Sequence, residues 1–458
     1  MMTLKEALVK KQTPANEKIL FDKGDVMYHE PMDNKAELLA MEDPDGSSEN
    51  TRRIERRDFL GNLVKTGFLG AVVHSPLSSF AADVKRMDAH PEAGHTFLTA
   101  PYLQSPMSDS MNIRWITNKL CYSWVEYGET ESLGIKAHEI NDGLVDAYNR
   151  VNNVNLQTLK PATKYYYKVC SKEITEFQPY KLTYGETISS EITSFSTFNN
   201  NSREVSWLVL NDIHDRPASY GDLLALNKNE EYDYVFLNGD MFDYQTDEQQ
   251  LIDHLITPCT THFAMNKPFL FVRGNHETRG KFAREIKNYF SNLGHGQYFT
   301  YQHGPVYTIA LDTGEDKPDE HPVYAGIVDF DTYRQQQALW LEKQLRSEAA
   351  RKSPFRVVMM HIPPYYSGEW HGPLHCRKLF NPIFNKYKVD LVISGHTHRH
   401  GIHPPVNGEH DYPIIIGGGP IAGKRTLIRA AANQAEVKIQ MIGDTGTELG
   451  NFIVKKRR

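Results

Sequence analysis

Cysteine is scarce: Cys121, Cys170, Cys259 and Cys376 are the only four in 458 residues, and none is spaced as a zinc site. So few thiols neither demand nor exclude an oxidising compartment. Cys121 and Cys170 fall in one predicted domain, and whether they pair is left open. A bilayer-spanning apolar run is also missing, because the best stretch, Leu63 to Ala82, contains Lys65, His74 and Pro76. Positive charge is not in excess either. A net charge of -6 speaks against a protein that coats nucleic acid or anionic membrane. It does not exclude a phosphate substrate, since bound metal would supply positive charge locally. There is no internal repeat, and no low-complexity tract beyond the linker Asn199-Asn-Asn-Ser202.

What remains has the composition of a soluble globular protein, 40% hydrophobic and 24% charged, and a length for which more than one domain is expected. Residues 1–55 are polar and charge-rich, with Asp43-Pro-Asp-Gly-Ser-Ser-Glu-Asn50 the least foldable part, and read as disordered. Residues 56–81 combine a basic pair, a weakly apolar run and small residues at Ser79 and Ala81, the parts of a signal peptide. Arg56-Arg57-x-Phe59-Leu60 resembles a twin-arginine export signal, with cleavage expected after Ala81. The segment before it is long for such a signal; a start at Met41 would bring it to the usual length. An exported protein, periplasmic or extracellular, is expected.

Residues 94–198 change character. Met111 to Thr117, Ser123 to Tyr127 and Lys164 to Val169 alternate as short strands, with turn signals at Tyr127-Gly-Glu and Leu159-Lys-Pro-Ala-Thr163. Short alternating strands at regular spacing predict an all-β sandwich.

Residues 203–458 hold the strongest signal. Five short apolar runs, each of a length and composition suited to a buried strand, end in metal-ligand residue types. Trp207-Leu-Val-Leu-Asn211 leads into Asp212-Ile-His214, and Tyr234-Val-Phe-Leu-Asn-Gly239 into Asp240. Phe269-Leu-Phe-Val272 leads into Gly274-Asn-His-Glu277, Val357-Val-Met-Met360 into His361, and Leu391-Val-Ile-Ser394 into Gly395-His-Thr-His398. A sheet that gathers imidazole and carboxylate groups along one edge makes a hard-to-borderline metal site. Asp212-x-His214 and His396-x-His398 place two ligands on one side of an extended chain.

This ordered set resembles the calcineurin-like metallophosphoesterase superfamily and covers most of residues 203–458. The resemblance implies an α/β four-layer (αββα) sandwich with two metal ions at the strand ends. One metal would take Asp212, His214, Asp240 and His398. The other would take Asp240, Asn275, His361 and His396, with Asp240 as the bridge and His276 just outside. Pro101-Tyr-Leu-Gln104, Trp124-Val-Glu-Tyr-Gly128, Leu159-x-Pro161-x-Thr163-x-Tyr165-Tyr-Tyr167 and Ser194-Phe-Ser-Thr197 look like the fibronectin III-like domain that precedes the catalytic domain in purple acid phosphatases. That domain is expected to act as a stabilising spacer, the alternative being a shaper of the site entrance or of oligomer contacts.

One departure from that branch is instructive. The branch carries an iron-binding Tyr three residues after the bridging Asp, whereas here the position is Asp243, with Tyr244 one residue late. His214 would supply imidazole in place of phenolate, which favours Mn, Zn or Fe(II) over the ferric-tyrosinate type and predicts a colourless enzyme. Asp243 and Tyr244 themselves read as the first turn of a following helix.

Two such metals, about 3.5–4 Å apart, imply hydrolysis of a phosphate ester by attack of a metal-bridging hydroxide. His276 is then general acid for the leaving alcohol or a donor to the phosphate oxygens, with Glu277 either orienting it or lying on the surface. His371, ten residues after His361, is a substrate-binding candidate; Arg273 and Asn211 read as structural. The expected partner is a small phosphorylated substrate, foremost a phosphomonoester. The alternatives are a phosphodiesterase or nucleotide hydrolase with the same site, and a non-catalytic cell-envelope binding protein. Retention of every ligand position argues against the last.

Overall fold

The computed structural model describes residues 94–293 and 296–457; the expected disordered extension and export signal lie outside them. The five apolar runs are strands at Glu204–Leu210, Tyr234–Asn238, Phe269–Val272, Phe355–Met360 and Leu391–Ser394. They are divided between two sheets, as the expected four-layer sandwich requires. The first three run parallel in one sheet. The last two are parallel in a second sheet, beside Val306–Leu311 and Ile414–Ile416.

Side-chain alternation within each strand explains the layering. In the first strand Trp207 and Val209 point between the sheets, where they meet Phe236, Leu270, Val357, Met359, Leu391 and Ile393. Leu208 and Leu210 point the other way, onto Tyr220, Leu223 and Leu255 of the covering helices. The second sheet presents Ile309, Leu311, Val358, Met360 and Val392 to helices Phe330–Leu345 and His371–Tyr387 through Leu341, Phe380 and Phe384. Both faces of these parallel strands are therefore buried, and each fully buried Val, Leu or Ile adds about 1.5–3 kcal/mol. The result is the expected αββα sandwich, and the parallel strands of its two mixed sheets end along one rim.

The preceding β-rich region is less separate than a spacer. The two runs predicted as Met111–Thr117 and Ser123–Tyr127 are one strand, Met111–Gly128, which pairs with both Ala147–Leu156 and Lys164–Gln178. No breaker interrupts it: its register shift between Ile116 and Cys121 bends the strand without ending it. The short strand Tyr102–Gln104 pairs antiparallel with it and, through Gln104 and Phe269, parallel with the first phosphoesterase sheet. Tyr167 Oη donates to the Met265 carbonyl at 2.8 Å and Tyr102 Oη to that of Tyr289 at 2.9 Å. Cys121 and Cys170 are free and buried, as are Cys259 and Cys376. No helix among the described residues is long and apolar enough to cross a membrane.

Candidate metal centre

Both sheets deliver their carboxyl ends to one cleft, and the backbone there is bent out of ordinary strand geometry. Asp212, His214, Asp240, His396 and His398 all adopt left-handed backbone, with φ between 49° and 72°. Such conformations in non-glycine residues are costly and gather at functional sites. Gly274 lets the segments close up. A Cβ on it would overlap the Asp240 carboxylate and strike the Asp240 amide.

Each carboxylate uses one oxygen to fix itself and turns the other toward imidazoles. Asp212 Oδ2 accepts from Asn211 Nδ2 at 2.6 Å and from the His396 amide at 2.9 Å. Its Oδ1, buried and without a hydrogen-bond partner, faces His398 Nε2 at 3.3 Å and His214 Nε2 at 3.7 Å. Asp240 Oδ1 accepts the His276 amide at 3.0 Å. Its Oδ2 lies 2.9 Å from His361 Nε2, without hydrogen-bond direction, and 3.6 Å from His214 Nε2. His214 and His398 bring their Nε2 atoms within 3.1 Å of each other. Two clusters result, Asp212, His214, Asp240 and His398 in one and Asp240, His361 and His396 in the other, with Asp240 in both. Asn275 joins the second through Oδ1, 3.0 Å from His396 Nδ1. All seven candidate ligands thus meet.

The imidazoles are oriented from behind. The Asn238 carbonyl can only accept, so His361 Nδ1 donates to it at 2.9 Å and leaves Nε2 for the cleft. His214 Nδ1 does the same with Asp243 Oδ1 at 2.8 Å. Asp243 is therefore not the first turn of a helix. That helix starts at Glu248 with Asp247 as its cap, because the intervening loop turns Asp243 back onto His214. Tyr244 points outward, 56% exposed. Glu277 likewise departs from both readings offered above. It is wholly buried and accepts the amides of Asp240, Met241 and Gly274 at 2.9, 2.6 and 2.6 Å, so it shapes the Asp240 loop and does not orient His276.

The charge balance fits cations. Burial opposes ionisation of Asp240, yet the neighbouring His361, His276 and His214 hold its carboxyl well below the usual range. Burial opposes a charge on His361 too, but Asp240 and Asp212 push it up to about 10, and Asp212, Asp240 and Asp243 push His214 to about 9. Two buried carboxylates call for positive charge beside them, and the orphaned Asp212 Oδ1 and His361 Nε2 aim inward; bound metals would supply that charge in place of the imidazole protons.

His276 sits at the edge of the clusters. Its Nδ1 donates to the Asp243 carbonyl at 2.6 Å, and its Nε2 lies 4.0 Å from Asp240 Oδ2. His371 opens the helix His371–Tyr387 and bonds through Nε2 to both Asp331 oxygens, at 2.7 and 2.9 Å, beside His375; none of these bonds reaches the metal-facing side chains. Arg273, read as structural, pairs with Asp312 at 2.5 Å. Sequence reasoning passed over Arg279, whose Nη1 lies 3.0 Å from His276 Nε2. It stands two residues after Gly274-Asn-His-Glu277, and proximity to that block was its only signal.

Comparison with known proteins bears on the family and the fold. Residues 206–400 match the calcineurin-like phosphoesterase family and residues 99–197 the purple acid phosphatase N-terminal domain. The chain is 26% identical over 335 residues to purple acid phosphatase 21 of Arabidopsis thaliana, covering 68% of this chain and 69% of that protein. A purple acid phosphatase of Glycine max is 28% identical over 185 residues, 35% of this chain and 38% of that protein. In fold, the chain is similar to the purple acid phosphatase PPD1 from yellow lupin, with a TM-score of 0.61 at 15% identity over 78% of this chain and 74% of that one. It is also similar to PhoD, with a TM-score of 0.55 at 12% identity over 78% and 89%.

Proposed function

The chain belongs to the calcineurin-like phosphoesterases, metal-dependent enzymes, and on that premise we propose that it hydrolyses phosphate monoesters at a two-metal centre built on Asp240. The observation that carries this reading is the sharing of Asp240 between two clusters of inward-facing ligand atoms. Asp212, His214, Asp240 and His398 would hold one metal, and Asp240, Asn275, His361 and His396 the other. Bound there, Mn, Zn or Fe would act as Lewis acids that neutralise phosphate oxygens and acidify a water molecule.

The chain's own groups do the rest. The left-handed turns at Asp240 and His396 and the buried Glu277 bracket keep the ligands in place before substrate arrives, so little reorganisation accompanies the reaction. His276 has its Nδ1 proton committed to the Asp243 carbonyl, which leaves Nε2 as the atom presented to the ester. In the reaction a P–O bond to water forms, the P–O bond to the alcohol breaks, and His276 Nε2, once protonated, returns a proton to the leaving oxygen. Arg56-Arg57-x-Phe59-Leu60 supports export of the folded protein.

The test is hydrolysis of an aryl phosphomonoester and a bis-aryl phosphodiester by purified protein, metal-stripped and then reloaded with Mn, Zn or Fe. Metal should restore turnover, faster on the monoester, and Asp240→Asn and His276→Ala should each abolish most of it. Metal-loaded protein that cleaves neither ester would sink the proposal.

A further inference from the structure

Arg279 is held in an unusual way for a residue with a purely structural role. Its Nε and Nη2 engage Glu315 as a fork, at 3.0 Å to Oε1 and 3.0 Å to Oε2. Glu315 is only 1% exposed and also accepts from Thr278 Oγ1 at 2.9 Å and from Tyr324 Oη at 3.0 Å. Four donors on one buried carboxylate fix the plane of the guanidinium, because a bidentate pair tolerates little rotation. Neutralising Glu315 takes only two of the three guanidinium nitrogens. The third, Nη1, is turned away from Glu315 and toward His276 Nε2, 3.0 Å away, which in turn lies 4.0 Å from Asp240 Oδ2. The Arg279 side chain stays 32% exposed, so the residue as a whole is not sealed from solvent. Lys317, the nearby lysine, spends its charge on Asp316 at 3.2 Å.

The partner of Nη1 is telling. His276 Nδ1 already donates to the Asp243 carbonyl, so a neutral His276 meets Arg279 with a lone pair on Nε2. A charged N–H resting on a neutral imidazole at the lip of a site is a donor poised for a stronger acceptor. A phosphate oxygen is such an acceptor, and charge-assisted bonds of this kind are roughly twice as strong as neutral ones.

We propose that Arg279, locked in place by Glu315, grips a non-bridging oxygen of the phosphoryl group and thereby selects phosphomonoester dianions over diesters. The inference rests on the phosphatase reading of the centre. A monoester dianion offers charge that the metals alone leave partly unmatched, and the Nη1 edge supplies one further fixed donor. A diester has less charge to match and must place a second organic arm near the same edge. When a phosphate oxygen replaces His276 as the acceptor for the fixed Nη1–H, His276 Nε2 is released to face the leaving oxygen. Glu315 in this scheme is a positioning residue.

The experiment uses the full chain loaded with Mn, as wild type, Arg279→Gln and Arg279→Lys. It measures inorganic phosphate binding by calorimetry, metal content, melting temperature, and kcat and KM on the two aryl esters. Arg279→Gln should weaken phosphate binding about tenfold or more. It should raise KM on the monoester and lower the monoester-to-diester ratio of kcat/KM by a similar factor, with metal content unchanged. Arg279→Lys keeps a cation beside Glu315, but its single ammonium cannot serve Glu315 and phosphate together. It should retain metal and melting temperature while losing phosphate affinity, and it decides the matter if the Gln variant fails to fold. Phosphate affinity within twofold of wild type in a metal-loaded Arg279→Lys overturns the proposal, as does a wild type that binds no phosphate. Turnover of neither ester by a wild type that binds phosphate refutes the phosphatase reading alone, since the binding isotherms still report on Arg279.

Discussion

Asp243 holds His214: its Oδ1 lies 2.8 Å from His214 Nδ1, and the opposite nitrogen of that ring faces Asp212, Asp240 and His398. A carboxylate behind a ligating imidazole sets its tautomer and raises its basicity. Asp243→Ala should therefore weaken the first metal about 10–100-fold. Chelator competition should show one of two metal equivalents becoming labile, while the equivalent at His361 and His396 stays tight. Equal loss of both, or of neither, would contradict the pairing.

The same pairing bears on colour. The position that would carry a phenolate is occupied by a carboxylate turned onto His214, and Tyr244, the nearest tyrosine in the chain, points to solvent. Protein loaded aerobically with iron should show no tyrosinate charge-transfer band in the visible. A purple product would mean that Tyr244 swings in to bind.

Gly274 tests the tight closure of the site. A methyl group there would run into the Asp240 carboxylate and amide, and steric overlap of this sort costs about 1–3 kcal/mol. Gly274→Ala should lower the melting temperature and abolish stoichiometric metal binding. Gly94→Ala, where nothing lies within 4 Å of the added carbon, should change neither. Full metal occupancy in Gly274→Ala would show that the loops have more room than their packing indicates.

The amino-terminal β region should melt together with the phosphoesterase region. Tyr102–Gln104 pairs with the Phe269–Val272 strand, Tyr167 bonds to Met265, and Arg150 pairs with Glu248 at 2.6 Å. Calorimetry should show one cooperative transition. A chain truncated before residue 199 should aggregate, because the edge of Phe269–Val272 loses its neighbour. Two well-separated transitions, or a soluble and active truncated chain, would return the region to the role of a spacer.

The sequence by itself determined the strands and the chemistry at their ends. Runs such as Phe269–Val272 and Leu391–Ser394 are strands with the same bounds the pattern predicts, because continuous apolar residues between breakers have few other ways to be buried. Asp, Asn and His placed just after them were legible as candidate metal ligands for the same local reason. The roles of Asp243, Glu277 and Arg279 were not. Asp243 looks like any helix-start acid until the loop folds it back onto His214, and Glu277 looks like a neighbour of His276 until four amides converge on it. Arg279 acquires its direction from Glu315, thirty-six residues away in sequence. Which strand joins which sheet was equally hidden from the local pattern, since all five are short apolar runs of one kind. Local pattern decides which groups end up at a strand terminus. Only the packed chain decides which of them touch, because hydrogen-bond partners distant in sequence are brought together by the burial of the two sheets against each other.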